Sequence, residues 1–260
     1  MRQIKRAVYN NEYLLNTNEL ANKIKHRSYE LMGEIKGKKI LDLGCGNGMD
    51  VIQIANFMKE YNKIFGVDKD KNILKKAEQN LSNTNLENIQ FVEANAENLP
   101  FENGYFDTIR IERVFQHLTN IPKVLKEINR VLKWNGQLVI LETDWASLSM
   151  FTEDYDLERK IIDHLVHKFT NNGLASRQLI QFLNLTNFKQ TSTEILSSSI
   201  NSYDIANRLI KIEEIGKEVV KEGSVKKDSY EKWLRDVYQN DLKKNFNCNL
   251  NMMMISTHKI

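Results

Sequence analysis

The 260-residue chain contains only two cysteines and two prolines, and it has no long apolar run. Cys45 and Cys248 lie far apart and offer neither a disulfide framework nor the spacing of a metal site. No stretch approaches the roughly 18 consecutive apolar residues that a membrane-spanning helix needs. The basic N-terminus is not followed by the apolar segment of a signal peptide. We therefore expect a cytoplasmic protein without a bound metal or a membrane partner.

The chain also has no large excess of positive or negative charge. Its 37 basic and 34 acidic residues give a net charge of +3. The two signs are interspersed even in residues 211–244, the most charged part, which is typical of solvated helix faces. A nucleic-acid partner is therefore not expected. The length allows one α/β domain with an insertion, or two small domains.

Three glycines stand together after a short apolar run at residues 40–43. Gly44, Gly46 and Gly48 alternate with other residues, and a helical pattern follows them. A strand, a glycine turn and a helix bring bare backbone close to a ligand. A second apolar strand ends in Asp68, about 20 residues after the turn, where a carboxylate can bind both hydroxyls of a ribose. Together these features predict a nucleoside site.

The position of the third glycine distinguishes between nucleosides. A dinucleotide fingerprint has the order Gly-x-Gly-x-x-Gly, and its pyrophosphate rests on the helix N-terminus. Here Met49 stands where the last glycine of that pattern would be. A pyrophosphate ligand is therefore disfavoured. An NAD-type oxidoreductase stays an alternative function, which a titration of the protein with NAD would test.

Apolar periodicity predicts that strands and helices alternate along the chain. The predicted strands are 40–43, 64–68, 89–93, 106–111, 137–141, 188–196 and 250–257. The predicted helices include 18–32, 72–81, one from Pro122 to Gly136, and a helical stretch over 202–245. Such alternation forms a parallel, doubly wound sheet whose ligands lie at the carboxyl ends of the strands.

Four motifs, in this order along the chain, resemble those of the class I S-adenosylmethionine-dependent methyltransferases. They occupy residues 40–50, 91–101, 106–118 and 131–145. The resemblance implies an α/β fold, with a doubly wound, Rossmann-like sheet of seven mainly parallel strands. It also implies a transferase that uses S-adenosyl-L-methionine and releases S-adenosyl-L-homocysteine. It covers residues 28–145 well and the remainder loosely.

The resemblance assigns most of the cofactor site by position. Asp42 would organise the glycine loop and the methionine end of the cofactor, or only hold the loop, and Asp68 would bind the ribose. Asn95 stands where relatives usually carry Asp against the adenine. Cys45 is expected to be a small residue that fits the turn and not a catalytic thiol. The residues expected to contact the cofactor are Asp42, Gly44, Cys45, Gly46, Gly48, Asp68, Lys69, Asn95, Ala96, Glu97 and Ile111.

Candidates for catalysis follow the fourth strand. His117 could take a proton from a nucleophile near neutral pH, or it could be a structural histidine at a helix start. Glu112 is the second catalytic candidate, and Arg113 could meet the substrate. Glu112 and Arg113 could equally form a surface ion pair of little energetic value.

Candidates for substrate contact lie in two further segments. Asp144 and Trp145 follow the fifth strand and would border the substrate space. Tyr13 could face the substrate from residues 1–35, which are expected to lie over the cofactor mouth. Residues 36–197 and 247–260 would form the methyltransferase core. Residues 198–246 would be a helical insertion between the last two strands, either a cap over the substrate or a dimer interface.

The chain lacks motifs that are typical of certain methyltransferases, and this limits the classes of molecule that could accept the methyl group. Amine methyltransferases of nucleic acids carry Asn/Asp-Pro-Pro-Tyr/Phe after the fourth strand, where this chain has Glu-Arg-Val-Phe at 112–115. The chain looks most similar to bacterial methyltransferases of secondary metabolism, which implies methylation of an O, N or C atom of a small molecule. The alternatives are a quinone C-methyltransferase, a modified-peptide N-methyltransferase and a non-catalytic cofactor-binding protein. The oligomeric state stays open between monomer and homodimer.

Overall fold

The computed structural model describes residues 23–33, 37–58 and 62–260, apart from the side chains at 190 and 191. Contacts divide these residues into two compact units. The core unit contains the described residues up to 142, together with 178–194 and 253–260. The second unit contains residues 143–177 and 195–252.

Strands and helices alternate through the first half of the chain. The strands are β1 Lys39–Leu43, β2 Lys63–Asp68, β3 Ile89–Glu93, β4 Phe106–Glu112, β5 Leu132–Met150, β6 Phe188–Ile200 and β7 Cys248–Lys259. The first helix, α1, is described over 23–31. The other α-helices are α2 Met49–Met58, α3 Lys71–Ser82, α4 Ile121–Val131, α5 Tyr155–His164, α6 Ala175–Asn184, α7 Tyr203–Ile210, α8 Ile212–Lys221 and α9 Lys227–Leu242.

The strands form one seven-stranded sheet in the order β3-β2-β1-β4-β5-β7-β6. β1 pairs in parallel with both β2 and β4, and the parallel pairing continues to β3 on one side and β5 on the other. The strand order therefore reverses between β1 and β4. In doubly wound sheets such a switch point opens a crevice at the carboxyl ends of the strands. The predicted fold class is confirmed, including the helices between the last two strands.

Helix α4 shows how the sequence determines a helix of the core unit. The Asn120 side chain accepts a hydrogen bond from the Lys123 amide at 3.1 Å and caps the helix. Pro122 lies in the first turn, where its missing N–H leaves no bond unmade. The residues that α4 buries follow helical spacing, and they are Ile121, Val124, Leu125, Ile128 and Val131.

The predicted boundary between α4 and β5 is wrong. The helix ends at Val131 and not at Gly136, and β5 begins at Leu132. Gly136 lacks the positive φ of a glycine cap, so it does not terminate the helix. The pairing of β4 with β5 is irregular after Leu132 and resumes at Gln137. β5 also continues to Met150, well beyond the predicted end at 141.

The second unit has its own apolar core. Aromatic side chains of α7 and α9 are buried in it, including Tyr203, Tyr230 and Trp233, together with Trp145 of β5. The predicted helical stretch over 202–245 consists of the three helices α7, α8 and α9. Contacts group these helices with residues 143–177. The division of the chain at 198 and 246 stays a prediction.

Candidate cofactor and active site

The glycine loop connects β1 to α2 at the switch point of the sheet. The amides of Gly44 and Cys45 donate to the Val67 carbonyl at 2.7 and 3.0 Å, so the loop turns against the end of β2. Gly44 has φ +78°, and a Cβ there would lie 2.2 Å from Cγ2 of Val114. Both the backbone conformation and the packing therefore require glycine at this position.

Asp68 ends β2 beside this loop and is half-buried. Its Oδ2 accepts a hydrogen bond from the Gly46 amide at 3.0 Å, and its Oδ1 accepts one from the Asp70 amide at 3.0 Å. Each carboxylate oxygen can accept a second hydrogen bond, so the group can still bind a diol. The helix cap of α3 is the neighbouring Asp70, which accepts from the amides of Asn72 and Ile73.

The segment predicted to contact adenine begins at the same point. The Ala94 amide donates to the Asp68 carbonyl at 3.0 Å, and the exposed Asn95 follows. The Asn95 side chain accepts a hydrogen bond from the Glu97 amide at 3.0 Å, which fixes the turn. Ala96 is half-buried in this turn. The structure thus brings the predicted ribose and adenine segments together.

The remaining predicted cofactor residues surround the loop with different exposures. Lys69 is exposed after β2, whereas Cys45 and Ile111 are buried. Burial raises the pKa of the Cys45 thiol well above its usual value, so the thiolate is suppressed. This agrees with the prediction of a small residue that fits the turn.

Six charged residues of α1, β1, α2, β4 and the position after β4 form a network that we call the charge cluster; four of them are buried, and Asp50 and Arg113 are half-buried. Its members are Lys25, Asp42, Asp50, Arg110, Glu112 and Arg113. Three cations therefore face three carboxylates. Arg110 and Lys25 are fully buried, where an unpaired charge would be very costly.

Arg110 lies at the centre of the charge cluster and contacts three different elements. Its Nη1 donates to Asp42 of β1 at 2.8 Å, and its Nε donates to the Ser28 hydroxyl of α1 at 2.9 Å. Its Nη2 donates to Glu112 of the same strand. Lys25 contacts the Asp50 carboxylate at 2.7 Å and lies 3.4 Å from Glu112.

The charge cluster shifts the pKa values of its carboxylates in opposite directions. Burial raises the pKa of Asp42 to about 6, although the Arg110 charge opposes this shift. Burial would also raise the pKa of Glu112, but the charges of Lys25, Arg113 and Arg110 hold it well below its usual value. The Glu112 carboxylate is therefore ionised and a weak base.

The alternative of a surface ion pair between Glu112 and Arg113 is wrong. Arg113 Nε lies 3.0 Å from Glu112 Oε1, and the Glu112 side chain is buried. Sequence reasoning missed Lys25, Asp50 and Arg110. The signal was present in part, because Arg110 stands between Ile109 and Ile111 in an apolar strand and so requires a buried partner.

His117 ends a short 3-10 turn over Phe115–His117 that follows β4. Burial, together with the smaller effects of the Lys69 and Arg113 charges, lowers the pKa of His117 to about 4. The imidazole is therefore neutral near pH 7 and has one nitrogen that can accept a proton. The turn is stabilised by the Gln116 side chain, which donates to the Arg113 carbonyl at 3.0 Å.

The structure places the predicted substrate residues Asp144 and Trp145 in the second unit. The Asp144 carboxylate pairs with Arg177 at 2.8 and 3.0 Å within the second unit. Trp145 is only 5% exposed and packs in the apolar core of that unit. Both residues lie within β5 and not after it. Tyr13 lies outside the described residues.

The described part of the chain has neither a candidate metal site nor a candidate membrane span. Its His, Cys, Asp and Glu side chains form no group of three or more that could hold a metal ion. Its helices are all too short or too polar to cross a membrane.

Comparison with known proteins agrees with the architecture of the site. Residues 34–199, more than half of the chain, match the family model of a methyltransferase domain. The chain therefore belongs to this family, the class I S-adenosylmethionine-dependent methyltransferases, as its motifs predicted. This confirms the predicted family.

Two curated relatives illustrate the range of the family. An uncharacterised 37.1 kDa protein of transposon Tn4556 from Streptomyces fradiae is 26% identical over 220 residues, which are 85% of this chain and 63% of the relative. The demethylmenaquinone methyltransferase of Lactococcus lactis is 32% identical over 155 residues, which are 60% of this chain and 62% of the relative. The chain thus spans less than two thirds of the length of either relative.

Among solved structures, phosphoethanolamine N-methyltransferase 2 of Haemonchus contortus in complex with S-adenosyl-L-methionine is similar in fold. Its TM-score is 0.60 at 16% sequence identity, and the match covers 98% of this chain and 59% of that one. At this identity the likeness concerns the fold.

Proposed function

We propose that the chain transfers a methyl group from S-adenosyl-L-methionine to an O, N or C atom of a small molecule. The favoured acceptor is an intermediate of secondary metabolism. The observation that carries the proposal is the bond between the Gly46 amide and the Asp68 carboxylate at the switch point. It joins the bare backbone of the glycine loop to an acceptor of a ribose diol.

The residues of the site fit this cofactor chemically. Asp68 retains acceptor capacity on both carboxylate oxygens, and Asn95 is exposed beside it. Gly44, Gly46 and Gly48 all have positive φ, and as glycines they add no side chain that could block a nucleoside from the loop backbone. In this proposal Asp68 binds the ribose, the segment from Asn95 to Glu97 meets the adenine, and Asp42 and Ile111 border the methionine end.

When bound, the cofactor supplies a methyl group on a positively charged sulfur that leaves as a neutral thioether. The residues of the chain then have to align the nucleophile with this group and exclude water. His117 is the stronger base of the two catalytic candidates and is neutral near pH 7, but its pKa of about 4 makes it a weaker acceptor of the nucleophile's proton than an ordinary histidine. Glu112 is less suited to this role, because its pKa is held low by three cations.

A quinone is the second candidate acceptor. This alternative is favoured by the name of the Lactococcus lactis relative, demethylmenaquinone methyltransferase, with 32% identity over the matched part. A quinol ring carbon is a different nucleophile from a hydroxyl or an amine, so the two acceptors require different contacts. Purified protein, radiolabelled S-adenosyl-L-methionine and either demethylmenaquinol or a metabolite extract would separate the two candidates by the product that carries the label.

Binding and turnover together test the proposal. Isothermal titration should give micromolar affinity for S-adenosyl-L-homocysteine and none for NAD. Binding of NAD in place of S-adenosyl-L-homocysteine would contradict it. Binding without label transfer to any acceptor would favour the alternative of a non-catalytic cofactor-binding protein.

Two matched variants test whether Asp68 binds the cofactor. Asp68→Ala removes the proposed ribose acceptor, whereas Asp70→Ala removes only the cap of α3. We expect Asp68→Ala alone to abolish binding in the micromolar range. Equal affinities of the two variants would remove Asp68 from the site.

A further inference from the structure

The charge cluster connects helix α1 to both ends of the glycine loop. Asp42 lies two residues before Gly44, and Asp50 lies two residues after Gly48. Arg110 contacts Asp42 at 2.8 Å and lies 3.9 Å from Asp50. The two carboxylates that flank the loop therefore share one buried guanidinium.

Helix α1 contributes one face to this arrangement. Lys25, Ser28 and Tyr29 follow each other at helical spacing, and all three are fully buried. Lys25 contacts both oxygens of Asp50 at 2.7 and 2.8 Å, and the Tyr29 hydroxyl donates to the same carboxylate at 2.9 Å. The Ser28 hydroxyl accepts from Arg110 and donates to the Lys25 carbonyl at 2.6 Å.

These contacts do more than fill the core. Buried ion pairs can often be replaced by apolar side chains of similar volume without loss of stability, so stability alone does not explain six charges here. Planar guanidinium donors fix the direction of their acceptors, which an apolar contact does not. The carboxylates held in this way belong to the two flanks of the glycine loop and to Glu112 at the end of β4.

We propose that Arg110 and Lys25 are positioning residues that couple the docking of α1 to the geometry of the glycine loop, and so to cofactor affinity. Arg110 orients the flank before the loop, and Lys25 orients the flank after it. Ser28 connects Arg110 to the backbone of α1 at the Lys25 carbonyl. The inference rests on the proposed cofactor site and adds a requirement for docked α1 to it.

The test compares variants of the cluster with a core variant matched for stability. Arg110→Lys keeps the charge but loses the planar fork, Lys25→Met removes the second cation, and Ser28→Ala removes one hydroxyl and no charge. Ile128→Ala in α4 is the control, because Ile128 is equally buried and α4 supplies no residue of the charge cluster or the glycine loop. Each is titrated with S-adenosyl-L-homocysteine, and its melting temperature is measured alongside.

We expect the dissociation constant to rise at least tenfold in Arg110→Lys and Lys25→Met, about threefold in Ser28→Ala, and less than twofold in Ile128→Ala. In turnover assays, KM for S-adenosyl-L-methionine should rise in Ser28→Ala while kcat at saturation stays within twofold of the wild type. Hydrogen exchange should show that the ligand protects the α1 amides in the wild type and less so in Lys25→Met. Ser28→Ala remains decisive if the charge variants fail to fold.

Two outcomes would overturn the inference in distinguishable ways. If the wild type binds the ligand and the cluster variants bind it as tightly as Ile128→Ala does, the coupling is absent and the proposed function stands. If the wild type does not bind S-adenosyl-L-homocysteine at all, the proposed function and the coupling both fail.

Discussion

The core unit and the second unit bury different kinds of side chain. In the core unit, six charged groups, four of them buried, form ion pairs around the flanks of the glycine loop. The second unit buries mainly aromatic and aliphatic side chains, such as Tyr203 and Trp233. Its buried Glu158 accepts from the Met150 amide at 2.6 Å and so completes local backbone bonding. The largest network of buried ion pairs among the described residues therefore lies beside the glycine loop, where we propose that the cofactor binds.

The largest expected effect tests whether the second unit contributes stability alone. Trp233 is 2% exposed, so Trp233→Ala should lower the free energy of unfolding by about 3–5 kcal/mol. Denaturant titration measures this loss. The affinity for S-adenosyl-L-homocysteine should change less than about twofold at temperatures where the variant is folded. A large loss of affinity would break the division of tasks between the two units.

The next effect belongs to the core unit. Asp68→Ala removes charge-assisted hydrogen bonds to a ribose diol, each worth about 1.5–3 kcal/mol, so the affinity should fall at least about 100-fold. Asp70→Ala should leave the affinity within about threefold and lower stability by about 1 kcal/mol, the usual value of a helix cap. Calorimetric titration and thermal unfolding of both variants separate the two roles.

His117 of the core unit should make the free energy of unfolding depend on pH. Its pKa of about 4 in the folded chain lies below its usual 6.5, so the unfolded chain binds the proton more readily between these values. Stability should therefore be complete above pH 6.5 and decline by up to about 3 kcal/mol as the pH falls towards 4. Denaturation at several pH values should show a flatter dependence in His117→Gln. An unchanged slope would contradict the buried, neutral imidazole.

The smallest expected effect concerns Asp144 of the second unit. Its carboxylate pairs with the half-exposed Arg177, so Asp144→Asn should cost little stability. If Asp144 borders the acceptor, KM for the acceptor should rise about fivefold while the affinity for S-adenosyl-L-homocysteine stays constant. Steady-state kinetics with the identified acceptor measure this, and Lys232→Ala on α9 serves as an exposed control. Equal KM values in wild type and Asp144→Asn would remove Asp144 from the substrate site.

The proximity of the proposed cofactor residues could be predicted because its signals are local. Gly44 follows one apolar strand and Asp68 ends the next, and neighbouring parallel strands bring their carboxyl ends together. The charge cluster could not be predicted in the same way. Lys25, Asp50 and Arg110 lie far apart in the sequence, and an arginine in a strand pattern does not reveal which carboxylates pair with it.

The errors around β5 have a different physical cause. Gly136 was interpreted as a helix cap, but only its backbone dihedral, which the sequence does not contain, decides whether a glycine terminates a helix. Trp145 was predicted to border the substrate space because β5 was expected to end at 141. The strand continues to Met150, and the indole is buried in the second unit.

The close approach of Gly44 to Val114 has an evolutionary consequence. A methyl group at position 44 would overlap Cγ2 of Val114, because the turn after β1 packs tightly against the turn after β4. Homologous chains that carry a bulkier residue at 114 should show compensating shifts in the loop, and the two positions should covary. The shape of the proposed nucleoside crevice therefore depends on both turns and not on the glycine motif alone.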